Sequence, residues 1–520
     1  MAWIDWDGLL MLARIYSIAL EGVSAQTVEV EVDLANGLPS LNMVGLPEGA
    51  VREAKDRVRA ALKNGGWQIP PKRVTINLAP ANLPKSGSLY DLPMAVGMLC
   101  AMGVLAQEAL QQTLLLGELA LDGRVKPVPG CMPAALLAKR AGYAQLVVPM
   151  ANAPEAALVA GVTVIAVENL AQLVAHLRGE GVIVPHQVQH DPLAQACHRE
   201  AHVDFAEIKG QAHAKRALEI VAAGGHNILM SGPPGSGKSM LARALISILP
   251  PLSLDELLEV SAVYSVAGRL DAQQPWVAER PFRAPHHTAS SVALVGGGSI
   301  PKPGEVSLAH HGVLFLDELP EYKRNVLEAL REPLETGDVT IARASRSANY
   351  PAKFQLVCAC NPCPCGHLGD SRHRCGCRPD EIQRYQGRLS GPLLDRIDLH
   401  LEVPPVAWEQ LSSNQSEERS QTIRQRIAVG RQQQFARNGD GVVNARLSGR
   451  QLEKWAALDA PCRTLLAQAA KQLGFSARAY HRIQRLARTI ADLEGATEIQ
   501  PAHLAEAIQY RVTLKDRRPT

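Results

Sequence analysis

Strand-like and helix-like patterns alternate along the first 180 residues of the chain. Gln26 to Val32 and Arg73 to Leu78 are rich in β-branched residues and predict strands. Gly49 to Asn64 and Leu92 to Met102 predict amphipathic or buried helices. A second strand-and-helix set follows, with helices over Pro133 to Ala141 and Leu170 to Leu177. Between Gly179 and Val203 the text turns to His, Gln, Pro and Asp without periodicity, which predicts a linker. An α/β pattern resumes at Phe205, with a helix over Gln211 to Ala223 and buried strands over His226 to Met230, Val313 to Leu316 and Phe354 to Ala359. Leu411 to Ser420 is polar and breaks the pattern again. The remainder reads as all-helical, most clearly from Ser476 to Leu493. The resulting division is a domain over 1–180, a linker over 181–204, a core over 205–410, a linker over 411–425 and a helical domain over 426–515.

Composition narrows the class. With 520 residues, 46% hydrophobic and 20% charged, the chain is folded, globular and long enough for several domains. No window approaches eighteen apolar residues free of charge, so no membrane partner is expected. The run Leu9 to Leu20 is broken by Arg14 and preceded by Asp5 and Asp7, which predicts a buried strand and not a secretory signal. A cytoplasmic location follows, with the ten cysteines as reduced thiols or metal ligands. Net charge is +3, but residues 421–520 hold 17 Lys/Arg against 8 Asp/Glu and leave the rest at −6. That asymmetry fits a polyanionic partner, or equally a helical surface kept soluble by arginine.

One motif carries specific chemistry. Gly232, Pro233, Pro234, Gly235, Ser236, Gly237, Lys238 and Ser239 fit GxxxxGK[ST], after an apolar strand and before a helix over Ser239 to Ile248. Glycines let backbone N–H groups close around phosphates, and the helix N-terminus adds a favourable dipole. Lys238 is expected on the β- and γ-phosphates of ATP and the Ser239 hydroxyl on Mg²⁺. Val313 to Leu316 ends in Asp317 and Glu318. At the tip of a buried parallel strand, Asp317 is expected in the Mg²⁺ shell and Glu318 as activator of the attacking water. Asn361, ending a third strand, is placed to position that water or the γ-phosphate, unless it caps a turn before Pro362.

Together these residues resemble the AAA+ ATPases, in the branch of magnesium-chelatase motor subunits and MCM helicases. The runs Phe282 to Ser290 and Gly304 to Glu321 look like the signature of ComM/YifB-type, magnesium-chelatase-like proteins. The resemblance implies a parallel AAA+ sheet with helices on both faces, a helical lid, an insertion in helix 2 and a β-hairpin before the third strand. Here the hairpin would pair Val339 to Ala344 with Tyr350 to Leu356, turning through Ser345 to Asn349. It presents Arg343, Arg346 and Lys353, the candidates for gripping DNA in a ring pore; an ordinary solvated hairpin is the alternative. Arg396 matches the arginine finger that reaches a neighbouring subunit's γ-phosphate. Arg478 matches sensor 2, with Arg482 one turn on as its competitor. The resemblance implies a hexamer and ATP-driven branch migration of DNA in natural transformation. A chelatase-type motor is the alternative.

Leu116 to Gly130, followed by Ala134 to Gly142, looks like the proteolytic domain of Lon, an α+β fold. The stretch Pro84 to Asp91 resembles the surroundings of Lon's nucleophile. The lysine column falls on Ala134 and the nucleophile column on Leu89, with Ser88 adjacent. Without the lysine no base activates a serine, so the expectation is a protease-dead module. Cys363, Cys365, Cys375 and Cys377 could form a tetrahedral Zn²⁺ site. Cys360 with Cys363, His367 or His373 offers other ligand sets, while Cys358 and Cys360 fit a strand core.

Overall fold

The computed structural model describes residues 12–188, 191–193, 203–298, 301–343, 346–370, 373–411 and 416–511. The first part of the run expected as a strand from Leu9 lies outside them. The strand enters at Leu12, as β1 (Leu12–Glu21), and turns tightly into β2 (Ser24–Ala35). Along β2 the period is two: Val28, Val30, Val32 and Leu34 are buried while their neighbours are not. With β3 (Ser40–Val44), β4 (Arg73–Ala79), β5 (Thr113–Leu115), β6 (Gln145–Pro149) and β7 (Thr163–Val167) they form a seven-stranded sheet ordered β3-β4-β2-β1-β5-β6-β7. The β1–β2 and β2–β4 pairs are antiparallel and the others parallel.

Helices packed with this sheet include α1 (Gly49–Asn64), α2 (Asp91–Ala101) and α3 (Cys131–Ala141). Every residue of α2 is buried. Gly97 allows that, because a Cβ there would lie 2.7 Å from Val32 Cγ2. The buried carboxylate of Asp91 is held by Arg57 at 2.6 and 3.0 Å and by the Leu119 N–H at 3.1 Å.

The second region carries α4 (Ala212–Gly224), β8 (Ile228–Ser231), α5 (Lys238–Ile248), α6 (Leu254–Val266), β9 (Phe282–Arg283), β10 (Val313–Leu316), β11 (Asp338–Arg343), β12 (Arg346–Pro351), β13 (Gln355–Cys360) and β14 (Leu399–Glu402). Five strands form an all-parallel sheet ordered β9-β10-β13-β8-β14. Its strands are apolar on both sides, and alternate residues feed two cores. Ile228, Val313, Phe315 and Val357 join the one beneath α4 and α5. Leu229, Leu314, Leu316, Leu356 and Cys358 join the other. Four long helices after residue 419 close over the first core: α7 (Ser420–Asn438), α8 (Ala460–Leu473), α9 (Ala477–Leu493) and α10 (Pro501–Gln509). Among the described residues, no helix is long and apolar enough to cross a membrane.

Helix α6 joins the two sheets. Its Leu257 and Ala262 sit in the core of the first, and Ser265 Oγ accepts the Gly130 and Met132 N–H groups at 3.2 and 3.4 Å. On the same helix, the Glu259 carboxylate meets His310 and His311 at 2.9 Å each, just before β10.

The hairpin departs from expectation. Its strands pair Thr340 with Asn349 and Arg343 with Arg346, so the return strand starts at Arg346, and residues 344–345 lie outside the described set. Of the expected turn, Arg346 to Asn349 are strand, and Ala348 and Tyr350 face the core beside Val339 and Ile341. The expected second strand, Tyr350 to Leu356, is in fact the end of β12, a break at Ala352–Phe354 and the start of β13.

Candidate functional site

The segment from Gly232 to Gly237 links the C-terminal end of β8 to the first turn of α5. Gly232 is required by close approach, since a Cβ there would meet Val403 O at 2.2 Å. Gly237 has φ +89°, in the left-handed region. The buried Lys238 Nζ donates to Gly232 O at 2.8 Å, Pro233 O at 2.9 Å and Asn361 Oδ1 at 3.4 Å. Burial lowers the pKa of its ammonium from the ordinary value, against the opposing pull of Cys360 and Asp317. Ser239 Oγ donates to Asp317 Oδ2 at 2.9 Å. Lys238, Ser239, Asp317 and Asn361 thus converge at the C-terminal end of the sheet, where α/β proteins bind ligands. The Ser236 hydroxyl there is buried without a partner among the described residues. A glycine-rich loop at a helix N-terminus, a buried ammonium, a hydroxyl–carboxylate pair and an orphaned hydroxyl fit a triphosphate with its Mg²⁺.

Glu318, just after β10, takes φ +50°, and its side chain is exposed. His287 Nδ1 meets Glu318 Oε2 at 3.1 Å. His287 stacks beside His286, with ring centroids 4.1 Å apart. Tyr322, edge-on to His287, anchors this stretch by donating to Pro285 O at 2.6 Å. Sequence reasoning assigned His287 no role, because Ala284 to Thr288 has no periodicity. Its signals were the doubled histidine after β9 and its place in the run Phe282 to Ser290 that carries the resemblance.

The arginines stand at the other end of the sheet. Asn227, just before β8, donates through its N–H to Asp398 Oδ2 at 2.9 Å and through Nδ2 to Arg396 O at 3.1 Å. Arg482 is ion-paired to Asp398. The Arg396 guanidinium is buried, donating to Pro392 O at 2.7 Å and to Glu335. The length of β8 puts this group about 13 Å from the P-loop. Arg478 is exposed on the first turn of α9. Neither Arg396 nor Arg482 therefore reaches its own chain's phosphate loop. Arg482, and Glu335 that holds Arg396, line a cavity of about 590 Å³ whose lining also includes Arg280, Arg431, Arg446 and Arg485 against Glu256 and Asp398. Burial pushes Arg431 down to about 9 and lowers Arg446 and Arg485.

The other expected site residues lie apart from the phosphate loop or beside it, as follows from their elements. Arg343 and Arg346 are paired at the hairpin tip. Lys353 is not on the hairpin: it follows Pro351, its N–H donates to His310 Nδ1 at 3.0 Å and its carbonyl accepts from His311. The hairpin's length puts it about 17 Å from the tip. Leu89 and Ala134 are buried in the core of the seven-stranded sheet, where neither offers a nucleophile or a base.

Cys363, Cys365, Cys375 and Cys377 do come together, each sulfur within 4.8 Å of the others. Cys358 and Cys360 are taken up by β13 and buried. His367 and His373 turn to Asp370 instead, at 3.3 and 3.2 Å.

Comparison with known proteins matches three stretches of this chain to family models. Residues 204–411 match magnesium chelatase, subunit ChlI; residues 30–152 match subunit ChlI of Mg-chelatase; residues 417–511 match the subunit ChlI C-terminal model. The uncharacterized protein YifB of Salmonella typhimurium is 46% identical over 504 residues, 96% of this chain and 97% of that protein. The competence protein ComM of Haemophilus influenzae is 45% identical over 515 residues, 97% of this chain and 98% of that protein. The magnesium-chelatase 38 kDa subunit of Cereibacter sphaeroides is 25% identical over 337 residues, covering 60% of this chain and 92% of that subunit.

Proposed function

The chain belongs to the YifB/ComM group of magnesium-chelatase-like proteins, and from that premise we propose that it is a cytoplasmic AAA+ ATPase working as a hexameric DNA motor. Its role would be branch migration of recombination intermediates, in line with the competence named for the Haemophilus relative. The proposed organisation is a protease-dead Lon-like module over 1–180, an AAA+ core over 205–410 and a helical lid over 426–515.

In this reading Lys238 neutralises the β- and γ-phosphates, while Ser239 and Asp317 hold Mg²⁺. Bound Mg²⁺·ATP supplies a γ-phosphoryl group open to attack by water. Glu318 takes the water's proton, His287 aims Glu318, and Asn361 orients the terminal phosphate. Cys363, Cys365, Cys375 and Cys377 carry a structural Zn²⁺. One observation supports the ring: Arg396 and Arg482 gather at the end of the sheet opposite Lys238. An arginine there serves a neighbour's nucleotide, and the cation-rich cavity beside it suits a triphosphate's charge.

The experiment is the ATPase rate with single-stranded, duplex and four-way DNA, for the wild type and Glu318→Gln. Stimulation by one DNA form, lost in the variant, is expected; hydrolysis indifferent to every DNA sinks the DNA reading. The chelatase alternative rests on the match to the 38 kDa subunit, and a porphyrin-binding partner recovered in a pull-down would favour it. With Leu89 and Ala134 where a protease needs its dyad, casein digestion is expected to be blank.

A further inference from the structure

The loop from Asn361 to Arg378 runs between β13 and the helix Pro379–Gln386 and carries the four cysteines whose sulfurs converge. Sγ of Cys363 lies 3.4 Å from that of Cys365 and 3.7 Å from that of Cys375; Cys365 and Cys375 are 3.6 Å apart. These separations are far beyond a covalent sulfur–sulfur bond, and all four are free thiols. Four sulfurs around one ion at ~2.3 Å form a tetrahedron with edges of about 3.8 Å. The cluster already has that size, and thiolate softness favours zinc over the hard cations.

Its placement gives the ion a task. Pro362 alone separates Cys363 from Asn361, whose Oδ1 meets Lys238 Nζ. On the far side of Cys365, Gly366 takes φ +84° and presses on the phosphate loop, so near that a Cβ there would lie 2.5 Å from Pro234 Cδ. The Gly366 N–H donates back to Cys363 O at 3.0 Å. Gln386 Nε2 holds Pro362 O at 3.1 Å from outside. The cysteine knuckle therefore touches the nucleotide site at two points, Asn361 and Pro234.

We propose that Zn²⁺ bound by Cys363, Cys365, Cys375 and Cys377 clamps this loop against Pro234 and fixes Asn361, so that metal occupancy sets the competence of the ATP site. The clamp rests on the reading of Gly232–Ser239 as that site. Loss of the ion frees the loop at one end of Asn361, and misplacement of a positioning group by about 1 Å costs as much as 100-fold in rate.

The test uses the purified full chain. Elemental analysis is expected to find one zinc per chain, absent from Cys363→Ser/Cys375→Ser, with kcat for ATP lower by about tenfold or more. Gly366→Ala keeps all four ligands; it is expected to retain zinc yet lose ATPase activity, which separates the clamp from a folding defect. A wild-type chain with iron or no metal overturns the site. Zinc-free variant protein with wild-type kcat overturns the clamp. Zinc on a chain that binds no fluorescent ATP analogue leaves the metal site standing and removes the nucleotide reading instead.

Discussion

The Nδ1 atom of His287 lies 3.1 Å from Oε2 of Glu318, which ties the loop after β9 to the carboxylate at the tip of β10. The glutamate is otherwise exposed and sits in a left-handed backbone conformation that costs a non-glycine residue about 1–2 kcal/mol. A side chain held that way needs a partner to aim it. His287→Ala is expected to lower kcat about tenfold with nucleotide affinity unchanged, and Glu318→Gln to lower it about 100-fold or more. Steady-state hydrolysis and titration with a fluorescent nucleotide measure the two separately. Wild-type kcat in His287→Ala removes the aiming role.

Because Arg396 sits at the end of β8 opposite its own phosphate loop, about 13 Å away along that strand, its loss is expected to be complementable. Arg396→Ala and Glu318→Gln are each expected to be inactive, the first by about 10³-fold. Mixed in equal amounts, they regain part of the rate, since some interfaces then pair an intact arginine with an intact glutamate. Melting curves of each variant check that both are folded. No recovery on mixing would mean that the arginine acts within its own chain or not at all.

Acid sensitivity is expected from the histidines before β10. The Lys353 N–H donates to Nδ1 of His310, which leaves the ring proton on Nε2, facing Glu259. Burial pushes this imidazole down to about 4. The unfolded chain takes the proton near pH 6.5, so stability from the neutral ring is full above that pH. It is lost as pH falls toward 4, by about 3 kcal/mol at most. His311 runs the other way: burial opposes its charge, but Glu256 and Glu259 outweigh burial and raise it. Its contribution is present below pH 6.5 and lost as pH rises through the raised value. Denaturant unfolding from pH 4 to 8 is expected to show both limbs, with the acid one flattened in His310→Gln.

The hairpin register makes a prediction about salt. If Arg343 and Arg346 each neutralise one phosphate of single-stranded DNA, their joint replacement by Ala makes the slope of log K against log salt shallower by about 1.4. Lys353→Ala, at the base, leaves the slope unchanged. Fluorescence anisotropy at four salt concentrations decides, and an unchanged slope in the double variant would take the DNA contact away from the tip.

What could be read from the sequence was what is local. The phosphate loop shows because its glycines, lysine and serine are consecutive, and Asp317 and Asn361 show because each ends a buried strand. The hairpin turn was misplaced because Ser347 and Asn349 look like turn residues; their strand assignment follows from Ala348 and Tyr350 packing on a core that only the fold creates. The cysteines could be counted, but the choice of four depended on β13 claiming Cys360 and on Asp370 claiming the histidines. That Arg396 and Asp398 meet Asn227 is decided by strands β8 and β14 lying side by side, 171 residues apart at Asn227 and Asp398.

Helix α6 holds Gly130 and Met132, at the start of α3, through Ser265, and His310, just ahead of the Asp317 strand, through Glu259, about 9 Å back along one rigid rod. The two sheets thus share one rod, and a displacement imposed at either of its ends is expected to be felt at the other.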